Sequence, residues 1–466
     1  MLLVVLDAAR RDALEPYGAP PGSTPTVAQL ARRGSVFGEV YATGCWTVPS
    51  HASMFTGLLP RAAGLSRVGT PAGARPALDA QRERLLPEVF RRAGYSTAAA
   101  SANLWVSRAS GFSTGFDDFA EVDSGRNARF HGKGLRARAQ WLRESGLARV
   151  DDGAADAASW LERWRASERR PFLWFVNLIE CHSPYLPPRG YGDVSLLDRL
   201  RAALESQRHY NLDAIWRACV GGFDVPAATI ERMRRLYMAS IAYMDAWLAR
   251  LLERLDEARL LDDTLVVVTS DHGENFGEGG LLTHALSLDN RLIHVPFVAA
   301  GPGIDGRPEI NSLADLPRFL AGAAGVDDHP WRDGPPAGVG VAQFDPPVDP
   351  GDAQASRAVE RWGLGQDALD RLTTPLSCAV AGELKLMRRG GREELYDLRS
   401  DPLELAPLEP AAAAAEHGER LAALRAALAH PAMVARRAAE PSRAAPEVPA
   451  EEVRRLEERM KLLGYM

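Results

Sequence analysis

The chain has 466 residues, 46% of them hydrophobic and 25% charged, with a formal net charge of −6 and a pI near 6.0. That length and apolar content suffice for a large buried core and exclude a disordered or fibrous chain, and the acidic balance excludes an overall nucleic-acid footprint. The four cysteines, Cys45, Cys181, Cys219 and Cys378, have neither metal-type spacing nor the density of a disulfide framework.

In chain order, Leu2–Leu6 is an unbroken aliphatic run that predicts a buried parallel strand ending at Asp7. A turn-rich stretch over 16–22 leads to a helix over 26–33, stopped by Gly34. A strand over 36–41 is expected to deliver the segment Cys45–Gly57, where Thr47 stands just ahead of Pro49, a residue suited to a first helical turn. Thr47 is there either a plain N-cap or a hydroxyl facing unpaired backbone N–H donors, an environment that favours an anionic ligand or a developing alkoxide. A helix over 85–93 and a strand over 95–102 follow, running into Asn103, for which loop capping is the simpler reading and contact with substrate the other.

Residues 124–150, rich in Arg and Gly, predict a surface insertion, and a helix over 154–166 precedes a strand over 172–179. That strand ends near His182, and a histidine just past a strand end is a catalytic candidate. The stretch 190–225 carries no motif, whereas over 226–259 the apolar residues recur at helical spacing and predict a long packing helix. The strand over 265–269 leads through Ser270 to Asp271-His272-Gly273-Glu274. Hard ligands thus follow two strand ends, where open α/β sheets form their sites, so Asp7, Thr47, Asp271 and His272 are expected to converge as a metal shell. The Gly-rich loop 273–280, read as mobile enough to close over substrate, reaches His284; His294, at the start of a strand over 294–300, is read as structural.

Residues rich in Pro, Gly and Asp from about 327 to 352 predict a linker or extended loop. Alternation over 377–380, 384–388 and 394–398 predicts a small antiparallel meander, followed by an Ala-rich helix over 411–429, a Pro-rich stretch over 441–449 and a charged helix over 451–463. The resulting organisation is an α/β catalytic domain over 1–330, a linker over 331–375, a β subdomain over 376–410 and a helical tail over 411–466.

Asp7-Ala8-Ala9-Arg10-Arg11-Asp12, Thr24-Pro25-Thr26, Thr47-Val48-Pro49-Ser50-His51 with Thr56-Gly57, His182-Ser183-Pro184-Tyr185 and Ser270-Asp271-His272-Gly273-Glu274 together resemble the sulfatase branch of the alkaline phosphatase superfamily. The resemblance runs from Met1 to about Pro302 and resumes over Lys385–Pro402, where Glu394-Leu395-Tyr396-Asp397-Leu398 and Asp401-Pro402 are similar to the family's C-terminal signature. It implies an alkaline phosphatase-like three-layer sandwich with a largely parallel sheet and a smaller antiparallel one. It also implies Thr47 at the nucleophile position, His182 and His284 as contacts to the transferred group or leaving oxygen, and a divalent metal.

The chain departs from the family at the nucleophile. Classical sulfatases oxidise a Cys or Ser to formylglycine there, with an Arg at the position of His51, and Thr47 cannot give that aldehyde. Ala8 replaces an acidic neighbour, and His272 makes the shell less purely oxygen, so zinc or manganese is expected over calcium, as in the zinc-dependent phosphoethanolamine transferases of the superfamily. The expected chemistry is hydrolysis or transfer of phosphate mono- or diesters through phospho-Thr47, with His182 and His284 cationic for a monoester or neutral for a diester. His51 would orient Thr47 or pack beneath it. A sulfate ester hydrolase without formylglycine, and an inactive binding protein of the same fold, are the other readings. A small-molecule ester is the expected partner, with no membrane span and room for a homo-oligomer. The apolar run at Met1 is too short for a leader and enters Asp7 directly, which predicts a cytoplasmic location.

Overall fold

Strand β1, Leu2–Leu6, has no side chain more than 2% exposed, and a strand so uniformly apolar is stable only at the centre of a sheet covered on both faces. The computed structural model describes residues 1–122, 170–183, 185, 187–304, 309–332 and 338–433. The expected insertion over 124–150, the helix over 154–166 and the segments from 441 onward lie outside them.

The remaining strands of the catalytic region are β2 (Ser35–Val36), β3 (Ser96–Ser101), β4 (Asp118–Glu121), β5 (Phe172–Leu178), β6 (Val266–Thr269), the short pair β7 (Asn275–Phe276) and β8 (Leu282–Thr283), and β9 (Phe297–Ala300). Six of them join β1 in one seven-stranded sheet of order β2-β9-β6-β1-β5-β3-β4, in which β9 alone runs against its neighbours. Leu2–Leu6 lies in parallel register with Trp174–Leu178 on one side, and Leu2–Val5 with Val266–Thr269 on the other. With its flanking helices this is the expected largely parallel α/β sandwich. The adjacent strands β6, β1, β5 and β3 all point their carboxyl ends to one edge, and Asp271, Asp7, His182 and Asn103 follow them there.

Helix α1 (Pro25–Arg33) meets the long helix Ala227–Glu257, whose Asp245 carboxylate accepts from the Thr26 and Val27 N–H groups at 3.1 and 2.9 Å and so satisfies donors at the α1 start. Helix α2 (Thr47–Thr56) is buried along its whole length and ends at Gly57, held at φ 70°. Several of its hydroxyls are satisfied inside the core: Ser53 Oγ accepts from Thr43 at 2.7 Å and Thr56 donates to the Ala52 carbonyl at 2.7 Å.

Three local expectations change. The strand expected over 36–41 shrinks to β2, because the backbone partners switch from β9 to loops: Tyr41 N–H donates to Asn311 O and Ala42 N–H to Ile293 O. Strand β9 begins only at Phe297, after Pro296, which has no N–H to give a ladder. The Gly-rich loop over 273–280 is tied down: β7 pairs with β8, and the Arg10 guanidinium donates to Glu274 O at 3.2 Å and to the Glu278 carboxylate at 2.7 Å.

A second sheet contains β10 (Gly340–Phe344), β11 (Leu376–Ala381), β12 (Leu384–Arg389) and β13 (Arg392–Asp397), all antiparallel and in chain order. The expected meander is β11 to β13. The stretch 331–375, expected as a linker, instead supplies β10 and the helices Ala353–Arg361 and Gln366–Thr373. A five-residue strand between Gly- and Pro-rich flanks has little local signal, and tertiary contacts define it: Gln343 accepts from Arg61 N–H at 3.0 Å and donates to Met433 O at 2.8 Å. The Ala-rich helix follows as Pro410–Ala429.

Candidate functional site

Thr47 is the first residue of α2, with Trp46 as the N-cap, so its side chain is not the cap and is left for other contacts. Asn103 Nδ2 lies 3.2 Å from Thr47 Oγ1 and 2.6 Å from Asp7 Oδ2, joining the end of β1 to the start of α2. The same Asn103 caps its own loop, its Oδ1 accepting from Trp105 N–H at 2.8 Å, as the simpler reading expected, while its Nδ2 faces Asp7 and Thr47.

Asp7, Asp271 and His272 are fully buried and offer ligand atoms that all lie within 4.8 Å of one another. Asp271 Oδ1 accepts from the N–H groups of Ala8 and His272 at 3.1 and 3.0 Å, which aims its second oxygen away from the backbone. Ala8, at φ 62°, adopts a conformation rare for a residue with a Cβ, and that twist sends its N–H to Asp271 and its carbonyl to the Tyr237 hydroxyl at 3.0 Å. Among the described residues, Asp7 Oδ1, Asp271 Oδ2 and His272 Nε2 have no hydrogen-bond partner although buried. Three orphaned donor atoms of oxygen and nitrogen type in one buried cluster fit a divalent cation, which would supply the missing partner.

Burial shifts the site's titrations. It raises Asp7 to about 6, with the charge of Asp271 adding to the effect, and raises Asp271 and Glu274 to about 7. It lowers His182, His272 and His284 to about 4, the neighbouring His284 contributing to the first two. The rings of His182 and His284 stand 4.8 Å apart and those of His272 and His284 4.4 Å apart. Both His182 and His284 are therefore neutral near neutral pH, so the cationic alternative does not hold for the protein alone. His284 Nδ1 lies 3.1 Å from Glu274 Oε1. Glu274, part of the Asp271-His272-Gly273-Glu274 run, had no expected role; its full burial beside an imidazole is visible only in three dimensions.

His51 lies one turn into α2, its Nδ1 3.0 Å from the Thr47 carbonyl oxygen and 3.5 Å from Asp271 Oδ2, with its ring edge-on to Phe112 and Phe175. Burial lowers it to about 3, so it sits beneath Thr47 as a neutral ring. His294 Nε2 donates to Gly38 O at 2.7 Å and its ring stacks on Tyr41, away from the cluster. Above Thr47, a cleft of about 300 Å³ is lined by Trp46, Trp105, His182, Trp216, His284 and Phe344 among others.

This sheet, with a hydroxyl, two carboxylates and imidazoles gathered at its carboxyl edge, defines an enzyme of the alkaline phosphatase superfamily. Residues 1–326 match the family model described as Sulfatase, and the chain belongs to the sulfatase family. It is 29% identical over 423 residues to a choline-sulfatase of Rhizobium meliloti (strain 1021), covering 82% of this chain and 77% of that one. It is 24% identical over 450 residues to an arylsulfatase of Clostridium perfringens (strain 13 / Type A), covering 88% and 89%. Among solved structures, the phosphonate monoester hydrolase of Agrobacterium radiobacter superposes with a TM-score of 0.59 at 21% identity, over 91% of this chain and 95% of that one. Among the described residues, no helix is long and apolar enough to cross a membrane.

Proposed function

We propose that the chain hydrolyses phosphate esters, diesters before monoesters, through a covalent intermediate on Thr47. The observation that carries this reading is the Thr47 hydroxyl at the start of α2, bridged by Asn103 to the Asp7, Asp271 and His272 cluster. A divalent cation held by Asp7, Asp271 and His272, zinc or manganese by donor type with calcium as the alternative, would lower the pKa of the hydroxyl and offset the charge of the ester.

Thr47 Oγ1, its proton passed to solvent, attacks phosphorus as the bond to the leaving alcohol breaks, while backbone N–H groups of the first turn of α2 hold a non-bridging oxygen. Glu274, raised to about 7, in its protonated form donates to His284 Nδ1, so that His284 Nε2–H faces the leaving oxygen and passes it a proton as Nδ1 takes the one from Glu274. His182, whose Nδ1–H donates to Ser183 O at 2.7 Å, presents an unprotonated Nε2 that accepts a proton. As neutral rings they bring no full positive charge to the ester, which suits a monoanion such as a phosphodiester better than a dianion. Water, or an acceptor alcohol, then displaces Thr47.

A sulfate ester is also a monoanion, and membership of the sulfatase family favours it as the second reading. The readings part at the second step: phospho-Thr47 keeps an electrophilic phosphorus open to in-line attack, whereas sulfo-Thr47 lacks the geminal hydroxyl by which formylglycine expels sulfate. A small-molecule ester met in the cytoplasm completes the proposal; the four cysteines, all buried and unpaired, suit a reducing compartment. The test is a panel of aryl phosphodiesters, phosphomonoesters and sulfates sharing one leaving group, with zinc, manganese or calcium. The phosphodiester is expected to give the highest kcat/KM, and sulfate turnover above both phosphate classes overturns the reading.

A further inference from the structure

The C-terminal signature over Lys385–Pro402 has no part in the chemistry above, yet its neighbourhood reaches the site. Lys385, on β12, is fully buried; its Nζ lies 2.6 Å from Glu404 Oε2 and donates to Leu288 O at 2.5 Å. The other oxygen of Glu404 accepts from the Asn290 N–H at 2.6 Å. An ammonium and a carboxylate from the C-terminal region thus end on two backbone groups of one loop in the catalytic region. A buried ion pair is seldom more stabilising than apolar residues of the same size, so its value here lies in the geometry it imposes.

That loop needs an anchor. It leaves β8 with Thr283 at φ 55° and passes His284 to Leu286 at φ 56°, two residues with a Cβ in the left-handed region, a shape that persists only where its surroundings enforce it. Pairing of β8 with β7 holds the upstream end, and Lys385 and Glu404 hold the downstream end. Beyond Asn290, the turn Asn290–Ile293 returns Leu292 O to the Gly273 N–H at 2.8 Å, so the same anchor backs the residue after His272.

We infer that Lys385 and Glu404 are positioning residues that fix the Leu288–Asn290 backbone and thereby set His284 against Glu274 and His182. The inference rests on His284 serving the proposed reaction, but one arm of its test reads His284 directly and does not depend on which ester is cleaved.

In the full-length protein, Lys385→Met, Glu404→Leu and Glu404→Gln are compared with Arg388→Met, which breaks the Arg388–Glu393 pair of the same sheet without touching the loop. Imidazole resonances are followed by NMR, with His284→Gln to assign His284, and kinetics are measured on the best ester. Lys385→Met and Glu404→Leu are expected to move the His284 resonances and to lower kcat by about 10- to 100-fold with KM changed less than about threefold. Glu404→Gln, which keeps an acceptor for the Asn290 N–H, recovers most of both, and Arg388→Met moves neither. A folded Lys385→Met protein with wild-type His284 resonances overturns the inference, as does an equal shift in Arg388→Met or a Gln variant no better than Leu. Should Lys385→Met fail to fold, the Glu404→Gln and Glu404→Leu comparison decides on the same terms. Loss of all ester turnover in the wild type would remove the proposed function and leave the NMR arm standing.

Discussion

Asn103 donates from Nδ2 to Asp7 Oδ2 at 2.6 Å, so a loop after β3 fixes the carboxylate that ends β1 two strands away. The same nitrogen reaches Thr47 Oγ1 at 3.2 Å, and its hydrogen bond works against the burial that raises Asp7. Asn103→Asp keeps an acceptor for the Trp105 N–H and removes the donor. If Asn103 only capped its loop, the folded variant would turn over as wild type. We expect instead a fall in kcat of about 100-fold, by analogy with the loss of one preorganised donor, with a lower thermal midpoint because the new carboxylate stands against buried Asp7. Steady-state kinetics beside a melting curve settle it, and wild-type turnover in Asn103→Asp removes the bridge from the mechanism.

Thr47 offers the sharpest test of the covalent step. Thr47→Ala should abolish turnover and leave the fold intact, since the lost hydroxyl is not the α2 cap. Thr47→Ser keeps the attacking atom and loses one methyl, so it should retain activity within about tenfold. Trapping of phosphate on the chain by acid quench, followed by peptide mapping, locates the intermediate. Full activity in Thr47→Ala ends the proposal.

Much of this geometry was legible in the sequence because of how parallel sheets bury their strands. Runs such as Leu2–Leu6 and Val266–Thr269 are aliphatic without alternation, and a polar residue just after such a run must sit at the carboxyl edge, as Asp7 and Asp271 do. What escaped has no local signal. Strand β10 is defined by β11 and by the hydrogen bonds of Gln343, which come from residues distant in the chain. The protonation of His182 and His284 depends on burial, which no motif records, and the contacts of Asn103 with Asp7 and Thr47 join residues 96 and 56 positions away, which neither a loop cap nor a substrate contact anticipates.

Metal binding should be proton-coupled. In the metal-free protein Asp7 titrates at about 6 and Asp271 at about 7, both raised from ordinary carboxylate values, so the folded site holds protons that a cation must displace. Affinity for zinc or manganese is therefore expected to weaken as the pH falls below 7, with proton release, and to level off above it. His272, lowered to about 4, stays neutral through this window and opposes binding only in stronger acid. Calorimetry in buffers of different ionisation enthalpy measures both quantities. An affinity independent of pH between about 5.5 and 7.5 would remove Asp7 and Asp271 from the ligand set.

Gly273 separates His272 from Glu274 and is packed so closely that a Cβ there would overlap the backbone carbonyl oxygen of Arg291 and come within 3.4 Å of Arg10 Cγ. The conflict is steric: it arises against backbone, which cannot rotate away as a side-chain tip would. The Gly273 N–H is at the same time held at 2.8 Å by Leu292 O, so relief must come from moving the 272–274 segment or the 290–293 turn. Either movement displaces His272 or loosens the loop that carries His284. Gly273→Ala is thus expected to destabilise the fold by about 3 kcal/mol or more, at the upper end of overpacking costs, and to reduce activity further than that loss of folded protein explains. Denaturant unfolding together with metal titration of the folded fraction separates the two effects. A Gly273→Ala protein with wild-type stability and wild-type metal affinity would show that the close packing of this segment against Arg291 is not required.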